Sequence, residues 1–258
     1  MPGLHAHRFG PDDGPPLLLL HGVTSTGLRY GRFVEEELPG VRVIAPDLRG
    51  HGDSTWDPPW HVEQHVADVL ALMDDLGLDR VPLGAHSFGG LIAMSLAVVA
   101  PDRVERLALI DPATGLPPAL AAARAEDTRR DEGWADEDEA RAARLAARPP
   151  HARDTVEEDM ATFLRRDPDG RYRFRYSRSA VVTAFSEMAR PTPSLAGYPG
   201  HVLLVPALQA PFVTPAFVER LRGELDGRLV AQSLNAGHVL YWDAREGLGA
   251  LMREWLAR

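Results

Sequence analysis

Residues 81–97, VPLGAHSFGGLIAMSLA, put Ser87 between a short apolar run and a helix-spaced one, so strand, tight turn and helix follow in succession. The turn reads Ala85, His86, Ser87, Phe88, Gly89, Gly90. A nucleophile on so sharp a turn needs small residues on both sides, because the backbones crowd there. A helix opening at Phe88 would also aim its first N–H groups at the site, which favours developing negative charge. The chemistry this arrangement suits is attack by a serine hydroxyl. Two other readings use the same geometry. A phosphate-cradling loop would end in Lys-Ser/Thr and a dinucleotide loop would read GxGxxG, and neither pattern is present. A serine that only caps a helix is the plain alternative.

Other reactive types are scattered. His61 and His65 stand four apart, but the acid between them is misplaced for HExxH, so a pair on a helix surface is expected and no metal. RYRFRY, residues 171–176, alternates Arg with aromatics. Such a run can bind nucleic acid. In this acidic chain it reads instead as an extended segment whose Tyr172, Phe174 and Tyr176 face inward while the arginines meet solvent or carboxylates.

The elements that must position Ser87 alternate. LLLL (17–20), VRVIA (41–45), VPLGA (81–85) and RLALI (106–110) read as buried parallel strands. LRYGRFVEEEL (28–38), the segment 62–77 and the segment 88–100 carry helical spacing between them. VLLV (202–205), RLVAQS (228–233) and a closing helix over 244–257 resume the rhythm, with Asp243 and Glu246 offering a capping box. The fold class is therefore α/β: a mostly parallel central sheet with helices on both faces. Residues 112–197 break the pattern with charged, helix-prone sequence, so the core is expected over 1–111 and 198–258 and an inserted helical cap over 112–197.

Composition removes whole classes of chemistry. The chain has 258 residues and no Cys, which excludes disulfides, thiolate nucleophiles and cysteine metal sites. All 28 basic residues are Arg, so lysine Schiff bases and lysine-dependent phosphate loops are excluded as well. A net charge of −9 argues against nucleic acid or an anionic membrane as a general partner. No cationic start leads into an apolar core at the N-terminus, and no apolar run approaches the roughly 20 residues that cross a bilayer. A cytoplasmic protein acting on a small molecule is the expectation.

Five stretches carry a resemblance. LLLLHGVTSTG (17–27), PDLRGHGDS (46–54), LGAHSFGG (83–90), LALIDPA (107–113) and NAGHVLYW (235–242) resemble the successive landmarks of the α/β-hydrolase superfamily, in its serine esterase and lipase branch. The resemblance implies that Ser87 is the nucleophile and His238 the general base, with Ala85 departing from the usual Gly. It also implies that the backbone N–H groups of Val23 and Phe88 form the oxyanion hole. No cofactor is implied.

The third member of the triad is the open question. Its usual place follows VLLV, where PALQAPFV offers Gln209 and no acid appears until Glu219. The family's second address is the end of the preceding strand, where Asp111 stands, although Asp-Pro there is also ordinary turn punctuation. The leading expectation is a serine hydrolase that cleaves a small or medium ester, lactone or thioester through an acyl-enzyme. Trp134, Phe163, Phe185 and Met188, together with Phe174 and Gln209, are the expected lining of its pocket. Gln209 leaves two alternatives open: a cofactor-independent lyase- or cyclase-like catalyst, and a ligand-binding protein on the same fold.

Overall fold

Short apolar runs bounded by turn residues become strands, and the amphipathic segments between them become the helices that cover the sheet. The structure, a computed structural model, describes residues 3–131, 133–146 and 153–258. The first half runs β1 (Ala6–Phe9), β2 (Pro16–Leu20), α1 (Gly31–Glu37), β3 (Arg42–Pro46), α2 (Val62–Asp75), β4 (Val81–His86), α3 (Phe88–Val99) and β5 (Val104–Ile110). The middle holds α4 (Pro118–Arg130), α5 (Glu137–Ala146), α6 (Thr155–Phe163), β6 (Leu164–Arg166), β7 (Tyr172–Phe174) and α7 (Arg178–Met188). The chain closes with β8 (Val202–Val205), α8 (Pro215–Leu225), β9 (Leu229–Ala231), α9 (Leu240–Asp243) and α10 (Arg245–Ala257).

Among the described residues the main sheet has the order β1-β3-β2-β4-β5-β8-β9, and only β1 runs antiparallel to its neighbour. Successive strand residues face opposite sides. Leu18, Leu20, Leu83 and Leu204 enter the core beneath α2, α3 and α8, whereas Leu17, Leu19, Ile110 and Val205 enter the core beneath α1 and α10. Burial on both faces is why these strands read as unbroken apolar runs.

β5 and β8 are hydrogen-bonded neighbours, so everything between them is an excursion from one edge of the strands. Among the described residues that excursion holds α4, α5, α6, α7 and a small β6–β7 hairpin, with its own cluster of Ala140, Val156, Met160, Phe163 and Phe174. Residues 132 and 147–152 of the expected cap lie outside the described residues. In the hairpin, Arg173 pairs with Asp167 and Asp169, and Arg175 with Asp53, while Phe174 turns into the cluster.

Three local expectations are corrected. The helix expected over 28–38 is a 3-10 turn, Gly27–Tyr30, followed by α1. Asp243 does not cap α10: the buried run Leu240–Trp242 draws it into α9, and Ala244 occupies the cap position without a side-chain bond. His61 is the exposed N-cap of α2, but His65 is buried with its ring edge-on to Phe88, so the two do not form a surface pair. Among the described residues no helix is long and apolar enough to cross a membrane.

Candidate active site

Ser87 occupies the turn between β4 and α3 with φ of 55°, a conformation costly for a residue with a side chain. The surroundings explain how it is held. A Cβ at Gly89 would come within 2.6 Å of the His21 carbonyl oxygen, so only glycine lets α3 start this close to the end of β2. A Cβ at Gly22 would stand 2.7 Å from the Ser87 Cβ, which shows how tightly the loop after β2 passes the serine.

The parallel register then fixes the acid. His86 pairs with Ile110 and Ile110 with Val205, so the residues that follow β4, β5 and β8 emerge side by side. Asp111, at the end of β5, is fully buried and sits at φ of 42°. Its Oδ2 lies 2.6 Å from His238 Nδ1, and His238 Nε2 lies 2.9 Å from Ser87 Oγ. The carboxylate accepts from Nδ1–H, which leaves Nε2 free to accept from the serine hydroxyl. Asp111 Oδ1 accepts the backbone N–H of Ala207 at 3.0 Å. The loop that would usually carry the acid thus serves to hold the carboxylate supplied by the neighbouring strand. The His238 ring is flanked by Phe212 and His86, with centroids 4.3 and 4.5 Å away.

A family model described as alpha/beta hydrolase fold matches residues 15–244. The chain is 34% identical over 257 residues to a protein named Lipase LipV from Mycobacterium tuberculosis, covering 92% of this chain and 91% of that one. The chain belongs to the α/β-hydrolase fold family. It is also 36% identical over 109 residues to Epoxide hydrolase 2 of Siraitia grosvenorii, a match that spans 41% of this chain and 34% of that protein. The crystal structure of E-2-(acetamidomethylene)succinate hydrolase superposes with a TM-score of 0.87 at 19% identity, covering 99% of this chain and 95% of that one. That last likeness bears on the fold alone.

Three buried, neutral histidines frame the site of this α/β-hydrolase. His21 Nδ1–H donates to the Gly22 carbonyl at 2.7 Å and Nε2 accepts from Leu48 N–H at 2.8 Å. Burial, with the nearby His51, pushes its pKa down to about 3. His51 accepts from Thr24 N–H at 3.3 Å, and burial holds its pKa at about 4. His86 Nε2–H donates to the backbone carbonyl of His238 at 2.8 Å, and burial keeps this ring far below its ordinary pKa. Each ring is therefore a fixed scaffold group. Two of them hold the Gly22–Thr24 backbone in which Val23 lies, and the third holds the loop of His238.

Beside Ser87 and His238 opens a cavity of about 330 Å³. Val23, Phe185 and Met188 line it, the last two as expected from the sequence. Phe88 opens α3, its backbone N–H next in the chain after Ser87. Trp134, Phe163 and Phe174 do not reach the cavity, because they pack on one another inside the cap. Gln209 is not part of it either: it is exposed, and its amide donates to Asn235 Oδ1 at 3.2 Å. Sequence reasoning missed Phe212, Tyr241, Trp242, Arg29, Arg124 and Arg144, all of which line the cavity. Tyr241 and Trp242 had a signal, standing about one helical turn beyond His238 in NAGHVLYW. The arginines had none, since Arg124 and Arg144 lie among many others on helices with no motif.

Proposed function

We propose that this hydrolase cleaves a small or medium acyl compound, an ester, lactone or thioester, through an acyl-enzyme on Ser87. The observation that carries the reading is the unbroken chain from Asp111 through His238 to Ser87, at 2.6 and 2.9 Å. In acylation the Ser87 oxygen bonds the substrate carbonyl carbon while its proton passes to His238 Nε2. The backbone N–H groups of Val23 and Phe88 receive the negative charge of the tetrahedral intermediate. His238 then gives the proton to the departing oxygen or sulfur as that bond breaks, and Asp111 keeps the imidazolium oriented and balanced. In deacylation water repeats the sequence and releases the acid. The 34% identity with a protein named a lipase supports ester chemistry. The non-hydrolytic and ligand-binding alternatives rested on Gln209, whose amide bonds Asn235, while Asp111 takes the place beside the histidine.

A fluorophosphonate probe read by intact mass tests this directly. The folded wild type should gain a single adduct that Ser87→Ala does not gain. A folded wild type that remains unlabelled would overturn the reading.

A further inference from the structure

The cavity beside Ser87 is apolar on most of its wall, yet three guanidinium groups share that wall: Arg29, Arg124 and Arg144. Arg29 stands in the 3-10 turn after β2 and is nearly buried, its side chain 7% exposed. Its Nε donates to Asp159 Oδ1 at 2.6 Å and its Nη1 to the Thr24 carbonyl at 2.8 Å. Its Nη2 is buried and has no hydrogen-bond partner among the described residues. Arg144, on α5, donates from Nη2 to the other oxygen of Asp159 at 2.6 Å, and its Nε is likewise buried with no partner among the described residues. Arg124, on α4, makes no ion pair among the described residues.

One buried carboxylate is therefore divided between two guanidinium groups, and a third cation stands beside them. Neighbouring like charges taken out of water are unfavourable until an anion offsets them. Arg144 records the strain: burial first, and then the charge of Arg29, hold its pKa below the ordinary arginine value. Aromatic rings back the pair. Arg29 lies 4.5 Å from the Phe163 ring centroid and 5.2 Å from that of Trp242, and Arg144 lies 4.8 Å from that of Phe174. These rings hold the guanidinium planes in place before a ligand arrives.

We infer that the substrate is an acyl compound bearing a carboxylate away from its scissile bond, recognised by Arg144 and Arg29 with Arg124 assisting. The inference rests on the hydrolase reading above and deepens it. Among the described residues the cations on this wall outnumber Asp159, and a substrate carboxylate would offset that excess. The planar fork of arginine suits that group in particular. The carboxylate is a handle only and keeps its bonds through both steps. An acyl chain of the same length ending in methyl groups would have to lie along the same cations with nothing to offer them.

The test compares mono-4-nitrophenyl glutarate with 4-nitrophenyl 5-methylhexanoate, which share leaving group and chain length and differ in terminal charge. The full-length wild type should favour the glutarate in kcat/KM by about tenfold or more, the scale of one charge-assisted hydrogen bond. Arg144→Gln should lower that ratio about tenfold, and Arg124→Gln, on an exposed helix face, should lower it less. A merely structural role for Arg144 would lower both rates together and leave the ratio unchanged, which would overturn the inference. So would a wild type that treats the two esters alike. Fluorophosphonate labelling of the same samples separates the two layers. Labelled Ser87 without charge preference removes only the carboxylate subsite, whereas unlabelled, inactive protein removes the hydrolase reading and the subsite with it.

Discussion

The ends of β4, β5 and β8 and the inner wall of the cap meet at one cavity, but they position their groups by different means. At the strand ends the backbone decides. Parallel register sets Ser87 and Asp111 side by side, positive φ angles turn both side chains, and glycines permit the crowding. On the cap wall the side chains decide, through a buried carboxylate shared by Arg29 and Arg144 and through rings stacked behind them. The first kind of placement leaves a motif in the sequence, because each close approach demands a small residue. The second leaves none, because a long arginine can reach the same point from many positions. On the proposed reading, reaction type is written at the strand ends and substrate preference on the wall between β5 and β8.

Substitutions should separate the two regions by size of effect. Ser87→Ala, at the sheet edge, should lower kcat by a factor on the order of 10⁶, measured on any activated ester that the wild type turns over. Residual turnover within tenfold of wild type would break the account.

A smaller effect concerns His65, buried on α2 against Phe88. Free in the unfolded chain, the His65 ring takes a proton near its ordinary value of 6.5; burial, followed by the charge of His51, lowers that to about 3 in the fold. Above about pH 7 the two states hold the same protons. As pH falls from 6.5 toward 3 the unfolded state binds one more, so stability is lost across that window. Between pH 7 and pH 5 this one ring accounts for about 2 kcal/mol. Denaturation midpoints of the wild type and His65→Phe at the two pH values should therefore show a loss smaller by about that amount in the variant. An equal pH dependence would show that the buried ring titrates normally.

The smallest effects divide the cap itself. Phe185→Ala opens the cavity wall and should raise KM by about tenfold, the scale expected when part of an aromatic ring no longer covers the apolar part of the substrate. Trp134→Ala, inside the cap cluster, should leave KM within about twofold and lower the thermal midpoint instead. Equal KM effects from both would erase the distinction between lining and packing.

Most of the sheet was legible, because strands buried on both faces must be short, apolar and bounded by turns. The serine turn was legible from its small neighbours, and His238 only through the resemblance to a family. The helices between β5 and β8 were legible as helix-prone sequence, but the cavity wall they share was not. Trp134 and Phe163 carry the same apolar signal as Phe185, and only tertiary packing shows that the first two sit together inside the cap. The capping box at Asp243 failed for a similar reason: burial of Leu240, Tyr241 and Trp242 outweighed a local hydrogen bond worth about 1 kcal/mol. Gln209 misled because chain position is a poor guide to which carboxylate meets the histidine: Asp111, from another strand end, lies 2.6 Å from it.

Asp111 is the proposed carboxylate of this hydrolase. The most direct measurement is kcat on one neutral ester for Asp111→Asn beside Gln209→Ala. The account predicts a loss of roughly 10⁴ in the first and a change within about twofold in the second. A folded Asp111→Asn variant that keeps wild-type turnover, or a Gln209→Ala variant that loses it, would contradict the account.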